Sequence, residues 1–156
     1  MISTTKINAN TMFDELTKYK KKDHFFFRAT DTLSQVCNAP TNQSGIYIVY
    51  ALKSGKIELI YIGRSGKIES DGTMFIRKTG LGGIKDRIVN GHQFGKIARR
   101  KSWPIQMLSE GIEALDVYWY ATHDINLNDC PRVLENKLLK RHTEIFGQLP
   151  KWNRAL

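Results

Sequence analysis

Residues 44–63 read Ser44-Gly45-Ile46-Tyr47-Ile48-Val49-Tyr50-Ala51-Leu52-Lys53-Ser54-Gly55-Lys56-Ile57-Glu58-Leu59-Ile60-Tyr61-Ile62-Gly63, and this stretch decides the fold. Two runs rich in β-branched and aromatic residues, roughly 45–52 and 57–63, flank the turn sequence Lys53-Ser54-Gly55-Lys56. Consecutive strands so closely joined pair antiparallel. A two-residue turn at Ser54-Gly55 sets Lys53 opposite Lys56. In continuous register it also sets Tyr47 opposite Ile62, which turns Tyr61 to the other face. Tyr47 and Tyr61 share a face only if the connection has odd length or one strand carries a bulge.

Outward from the hairpin, Leu115, Val117, Trp119 and Ala121 alternate with Asp116, Tyr118, Tyr120 and Thr122, which predicts a third, central strand. Ile84 to Asn90 reads as a helix stopped by Gly91, and Pro104 to Leu108 as a short helix after the basic segment 96–101. Pro131 suits the first position of a longer helix whose buried stripe is Leu134, Leu138 and Ile145, with Gly147 and Pro150 at its end. Towards the N-terminus, Met12, Phe13, Leu16 and Tyr19 suggest an amphipathic helix, and Phe25-Phe26-Phe27 a strand or an extended packing segment. Residues 64–83 hold five glycines and read as a long irregular connection. The expected organisation is an N-terminal extension, 1–43, packed on a core domain, 44–156.

The chain has 156 residues, 41% apolar and 25% charged, which suits one soluble domain with its own core. It shows neither an apolar run long enough for a bilayer nor a secretory leader, so a cytoplasmic protein is expected. Cys37 and Cys130 fit no metal spacing and read as free thiols. The four histidines share no local ligand spacing, and no Gly-Lys-Ser/Thr phosphate loop occurs. The net charge of +9 favours a polyanionic partner. Positive residues concentrate at Arg77, Lys78, Lys85, Arg87, Lys96, Arg99, Arg100 and Lys101, opposed only by Asp86.

Some side chains stand out chemically. A phenol beside a metal ion and an arginine can handle a proton in phosphodiester hydrolysis. Arg87 shares its helix with Ile84 and Ile88, so its stem runs near the core and its planar donors suit a phosphate or a carboxylate. Glu135 borders the buried stripe of its helix, where a carboxylate needs a cation or a metal. His92 follows Arg87 at the helix exit, and Asn153 follows Trp152 near the C-terminus.

Gly45-Ile46-Tyr47 followed by Tyr61-Ile62-Gly63 resembles the signature of the GIY-YIG nuclease family. Arg87, Glu135 and Asn153 follow in the order the family shows, so the resemblance spans about residues 44–153. It implies an α+β domain with a three-stranded antiparallel sheet flanked by helices. It also implies endonucleolytic phosphodiester hydrolysis with one divalent ion, Mg²⁺ or Mn²⁺. In that reading Tyr47 is the general base, Tyr61 supports it, Arg87 holds the scissile phosphate and Glu135 holds the metal. Many members carry histidine or tyrosine one turn after the arginine. Here that position is Gly91, and His92 is the nearest substitute. The long interval between Gly63 and Arg87 resembles the restriction-enzyme branch, where insertions touch DNA. The candidate DNA contacts are Arg64, Lys78, Lys85, Arg99, Arg100 and Lys101.

The expected function is therefore a type II restriction-like DNA endonuclease, self-associating as a homodimer because one site per protomer nicks one strand. No separate docking module or distal recognition arm is evident in the sequence. The alternative is a nucleic-acid-binding module of the same fold that lacks catalysis, or acts in regulation.

Overall fold

Ser54 and Gly55 take φ angles of 51° and 74°, the geometry of a two-residue type I′ turn whose twist matches its strands. The computed structural model describes residues 14–68, 74–75, 83–123 and 129–154. Strand β1 spans Lys22–Phe27, β2 spans Ser44–Lys53 and β3 spans Lys56–Ser65. Lys53 lies opposite Lys56, as the turn requires. The register then slips: Tyr50 lies opposite Leu59, but Val49 lies opposite Tyr61, leaving Ile60 as the extra residue. This is the bulge that the shared-face condition demands, and it returns Tyr61 to the face of Tyr47.

Two short strands, β4 (Lys67–Ile68) and β5 (Met74–Phe75), pair as a separate ribbon within the expected irregular connection. Strand β6 spans Ala114–His123, and the main sheet runs β1-β6-β2-β3, all antiparallel. The sheet thus has four strands, not three. The fourth comes from the N-terminal extension. Phe25 and Phe27 turn inward while Phe26 stays exposed, the alternation of an edge strand with one covered face.

Five α-helices occur among the described residues: α1 (Leu33–Val36), α2 (Gly83–Asn90), α3 (Arg99–Glu110), α4 (Pro131–Phe146) and α5 (Lys151–Arg154). On one face of the sheet Tyr47, Val49, Tyr61, Val117 and Trp119 share a core with Ile84 and Ile88 of α2 and Trp103 and Met107 of α3. On the other, Ile46, Ile48 and Ile62 pack against Leu134 and Leu138 of α4 and against Leu16 and Tyr19. Leu16 belongs to a 3-10 helix, Asp14–Lys18. That segment is tied to α4 by Glu15, which pairs with Lys137 (3.1 Å) and Arg141 (2.6 Å). Helix α3 is longer than the expected Pro104–Leu108 and begins at Arg99, with Pro104 inside it. Cys37 and Cys130 are free thiols. No helix among the described residues is long and apolar enough to cross a membrane.

Candidate functional site

The two phenols stand side by side, ring centroids 6.0 Å apart. Tyr47 is wholly buried and Tyr61 is 6% exposed. Gly63 lies opposite Tyr47 across the hairpin. A Cβ built there would stand 2.5 Å from Tyr47 Cζ, 2.6 Å from its hydroxyl oxygen and 2.6 Å from Tyr61 Cε2. Glycine is required because the rings fill that space. Among the described residues the Tyr47 hydroxyl has no hydrogen-bond partner. Buried hydroxyls are rarely left so, and such an orphan points to a ligand or a water. Burial pushes its pKa above the ordinary phenol value. Arg99 most strongly and then Arg87 oppose that, while Tyr61 and Glu135 reinforce it.

Arg87 sits half-buried on α2, and its charge acts on both Tyr47 and Glu135. Glu135 comes from α4, on the opposite face of the sheet, with its side chain 18% exposed. Desolvation raises its carboxyl above the usual range, and Arg64 and then Arg87 pull it back without winning. Its Oε1 accepts a hydrogen bond from Arg64 Nε at 3.1 Å, and Arg64 Nη1 also donates to the Gly66 carbonyl at 3.4 Å. Four predicted residues, Tyr47, Tyr61, Arg87 and Glu135, thus gather at the β3 end of the sheet. Arg64 joins them as the partner of Glu135.

Other expectations fare differently. Asn153 lends its amide to the backbone: Oδ1 accepts from Ile62 N–H (2.9 Å) and Nδ2 donates to Ile62 O (3.0 Å). It clamps the outer edge of β3 beside the tyrosines. His92 is solvent-exposed, and its backbone bridges to Ala98. Arg99, expected on a DNA-facing surface, is 1% exposed. Its guanidinium lies under the tyrosines, donating to Tyr61 Oη at 3.2 Å and to the Arg87 carbonyl at 2.6 Å. The space is open because residue 91 is glycine: a Cβ there would stand 2.1 Å from Arg99 Nη1. Arg100 and Lys101 are exposed, with Arg100 donating to the Asn90 side chain. Lys85 is half-buried on α2, and Lys78 lies outside the described residues.

The sequence marked Arg99 only as a DNA contact, not as a neighbour of the tyrosines, and did not mark Gln93. The Oε1 of buried Gln93 accepts from both Arg99 Nε (2.8 Å) and Trp103 Nε1 (3.1 Å). The signal was present: Arg99, Trp103 and Met107 recur at helical spacing and form one buried stripe.

No group of three or more His, Cys, Asp or Glu side chains able to hold a metal occurs among the described residues. Glu135 is a single carboxylate with one oxygen engaged. That donor set fits a hydrated magnesium-like ion completed by substrate phosphate oxygens, and does not fit a fully protein-ligated site. Comparison of the chain with family models, with curated proteins and with solved structures returned no match.

Proposed function

We propose that this protein is a metal-dependent DNA endonuclease of the GIY-YIG kind, hydrolysing phosphodiester bonds as a compact type II restriction-like enzyme. The observation that carries the reading is Tyr47. Its buried, unpartnered hydroxyl stands beside a second phenol, within the fields of two arginines and a carboxylate brought from the other side of the sheet. Once its own proton has passed to solvent, the Tyr47 phenolate, favoured by the charges of Arg99 and Arg87, accepts the proton of the attacking water and returns to phenol, and Tyr61 orients it. Arg87 faces the scissile phosphate and the charge that develops on it. Glu135 would hold Mg²⁺ or Mn²⁺. When bound, such an ion supplies positive charge to the phosphate and the leaving 3′-oxygen. Arg64, released from Glu135, and the exposed Arg100 and Lys101 neutralise backbone phosphates.

A second reading is favoured by one observation. Tyr47 is covered completely and Glu135 is already paired with Arg64, which suits a nucleic-acid-binding module without catalysis. Supercoiled plasmid incubated with Mg²⁺ or Mn²⁺ separates the two. Cleavage by the wild type, lost in Glu135→Ala and Tyr47→Phe while DNA binding survives, supports the enzyme. Binding without cleavage under every divalent ion supports the module. Absence of binding at low salt defeats both.

A further inference from the structure

Arg99 is a buried charge whose hydrogen bonds all go to neutral acceptors: the Gln93 amide oxygen, the Arg87 carbonyl and the Tyr61 hydroxyl. Its guanidinium carbon stands 5.5 Å from the Tyr47 ring centroid, 5.4 Å from that of Tyr61 and 5.9 Å from that of Trp103. No carboxylate pairs with it among the described residues. Guanidinium does not shed its proton in a protein, and burying it unpaired is costly. The fold nevertheless makes room for it, since only a residue without a side chain at position 91 leaves space for Nη1. A cation held so expensively beside two phenols has one evident use.

We propose that Arg99 is the positioning residue of the tyrosine pair: its guanidinium, admitted by Gly91, fixes the Tyr61 hydroxyl as an acceptor and supplies the counter-charge when that hydroxyl ionises. In the ionisation the Tyr61 O–H bond breaks, the electron pair stays on oxygen and the proton passes to solvent hydroxide. A neutral phenol beside a lone guanidinium becomes a phenolate–guanidinium pair. The other charged or titratable groups around the pair are Tyr47 from β2, Arg87 from α2 and Glu135 from α4. The catalytic consequence rests on the nuclease reading, but the ionisation is measured without nucleic acid and stands or falls separately.

The test uses the full chain labelled with ¹³Cζ-tyrosine, the Tyr61 resonance being assigned with Tyr61→Phe. It is titrated between about pH 7 and 12 in wild type, Arg99→Met and Arg99→Lys. The midpoint of Tyr61 should rise by at least about one pH unit, tenfold in acidity, in Arg99→Met. Arg99→Lys, which keeps the charge, should fall between. An unchanged midpoint in folded Arg99→Met overturns the proposal, as does an equal rise in both variants, which would mark a packing role. If Arg99→Met does not fold, Gly91→Ala keeps the charge, but its methyl, 2.1 Å from Arg99 Nη1 and 2.3 Å from the Arg87 carbonyl oxygen, displaces the guanidinium together with the carbonyl it donates to. The same upward shift is expected there, and none refutes the assignment. In a cleavage assay Arg99→Lys should lower kcat with KM for DNA unchanged, and a change confined to KM counts against it.

Discussion

Replacing Gly63 by alanine tests the tyrosine pair more sharply than replacing either tyrosine. The added methyl would stand 2.5 Å from Tyr47 Cζ and 2.6 Å from Tyr61 Cε2. Ordinary carbon contacts need about 3.5 Å, so one or both rings must retreat by roughly 1 Å. Neither can do so freely: Tyr47 is wholly enclosed, and the Tyr61 hydroxyl is held by Arg99. Overpacking of this kind costs about 1–3 kcal/mol. In a domain of this size that lowers the melting temperature by roughly 2–12 °C. If the pair is catalytic, a displacement of about 1 Å also costs on the order of 10²-fold in rate.

The control is Gly55→Ala. Gly55 has a φ of +74° and nothing within 4 Å of a built Cβ, whereas Gly63 lies outside the left-handed region. Alanine at 55 therefore strains the backbone alone, by roughly 1–2 kcal/mol, and should leave plasmid cleavage at the wild-type rate. Scanning calorimetry and a plasmid-nicking time course measure both variants. Gly63→Ala that melts with wild type refutes the packing argument. Gly63→Ala that melts lower yet cuts at full rate refutes the role given to the rings.

Three further outcomes follow from the same contacts. Because the folded state raises the Glu135 carboxyl, the stability it contributes is full below the ordinary carboxylate range and is lost as pH rises through the folded value. Glu135→Gln should therefore melt above wild type at neutral pH, with the gap closing near pH 4 and below, about the unperturbed carboxylate value; a gap that widens in acid contradicts this sign. Asn153→Ala strips both partners from Ile62 and should cost about 1–3 kcal/mol, visible as faster hydrogen exchange at the Ile62 amide in native-state NMR. Arg100→Ala and Lys101→Ala should each weaken DNA binding uniformly across sequences and flatten the salt dependence by about one phosphate contact; unchanged salt slopes would remove that face from the interface.

Much of the hairpin was legible because side-chain alternation and turn chemistry are local. Lys53-Ser54-Gly55-Lys56 announced its turn, and the requirement for a bulge followed from counting residues. The position of that bulge, at Ile60, was not legible, since all of Leu59 to Ile62 suits a strand. The long helix carrying Glu135 was marked by Pro131 and Gly147, and its stripe placed the carboxylate correctly beside the core. Phe25-Phe26-Phe27 stayed open between a strand and an extended packing segment, and so outside the expected three-stranded sheet, because three aromatics in a row hide the alternation that pairing with β6 imposes. The burial of Arg99, expected as a DNA contact, was hidden for a related reason. Inside a run of four positive or polar residues it reads as surface, and only a helix started five residues before Pro104 would have aligned it with Trp103 and Met107. Asn153 was found by order along the chain, but its amide serves the backbone of β3, a partner no pattern in the sequence names.

The position of β3 at the edge of the sheet explains how groups from opposite layers act on one another. Tyr47 and Arg87 lie with the core of α2, and Glu135 lies with the core of α4. An interior strand would stand between them as a wall of backbone and side chains. Because β3 is an edge, the charge of Glu135 reaches Tyr47 past a strand that carries no side chain at Gly63. An open edge is also a template for another strand, and a strand added there would close the site. Asn153 meets that hazard by taking the outward N–H and C=O of Ile62, one residue from the glycine. The bulge at Ile60 that aligns the phenols, the glycine at 63 that admits them and the Ile62 backbone that Asn153 guards lie within four residues, so the end of one strand both sets the phenols side by side and protects its own edge.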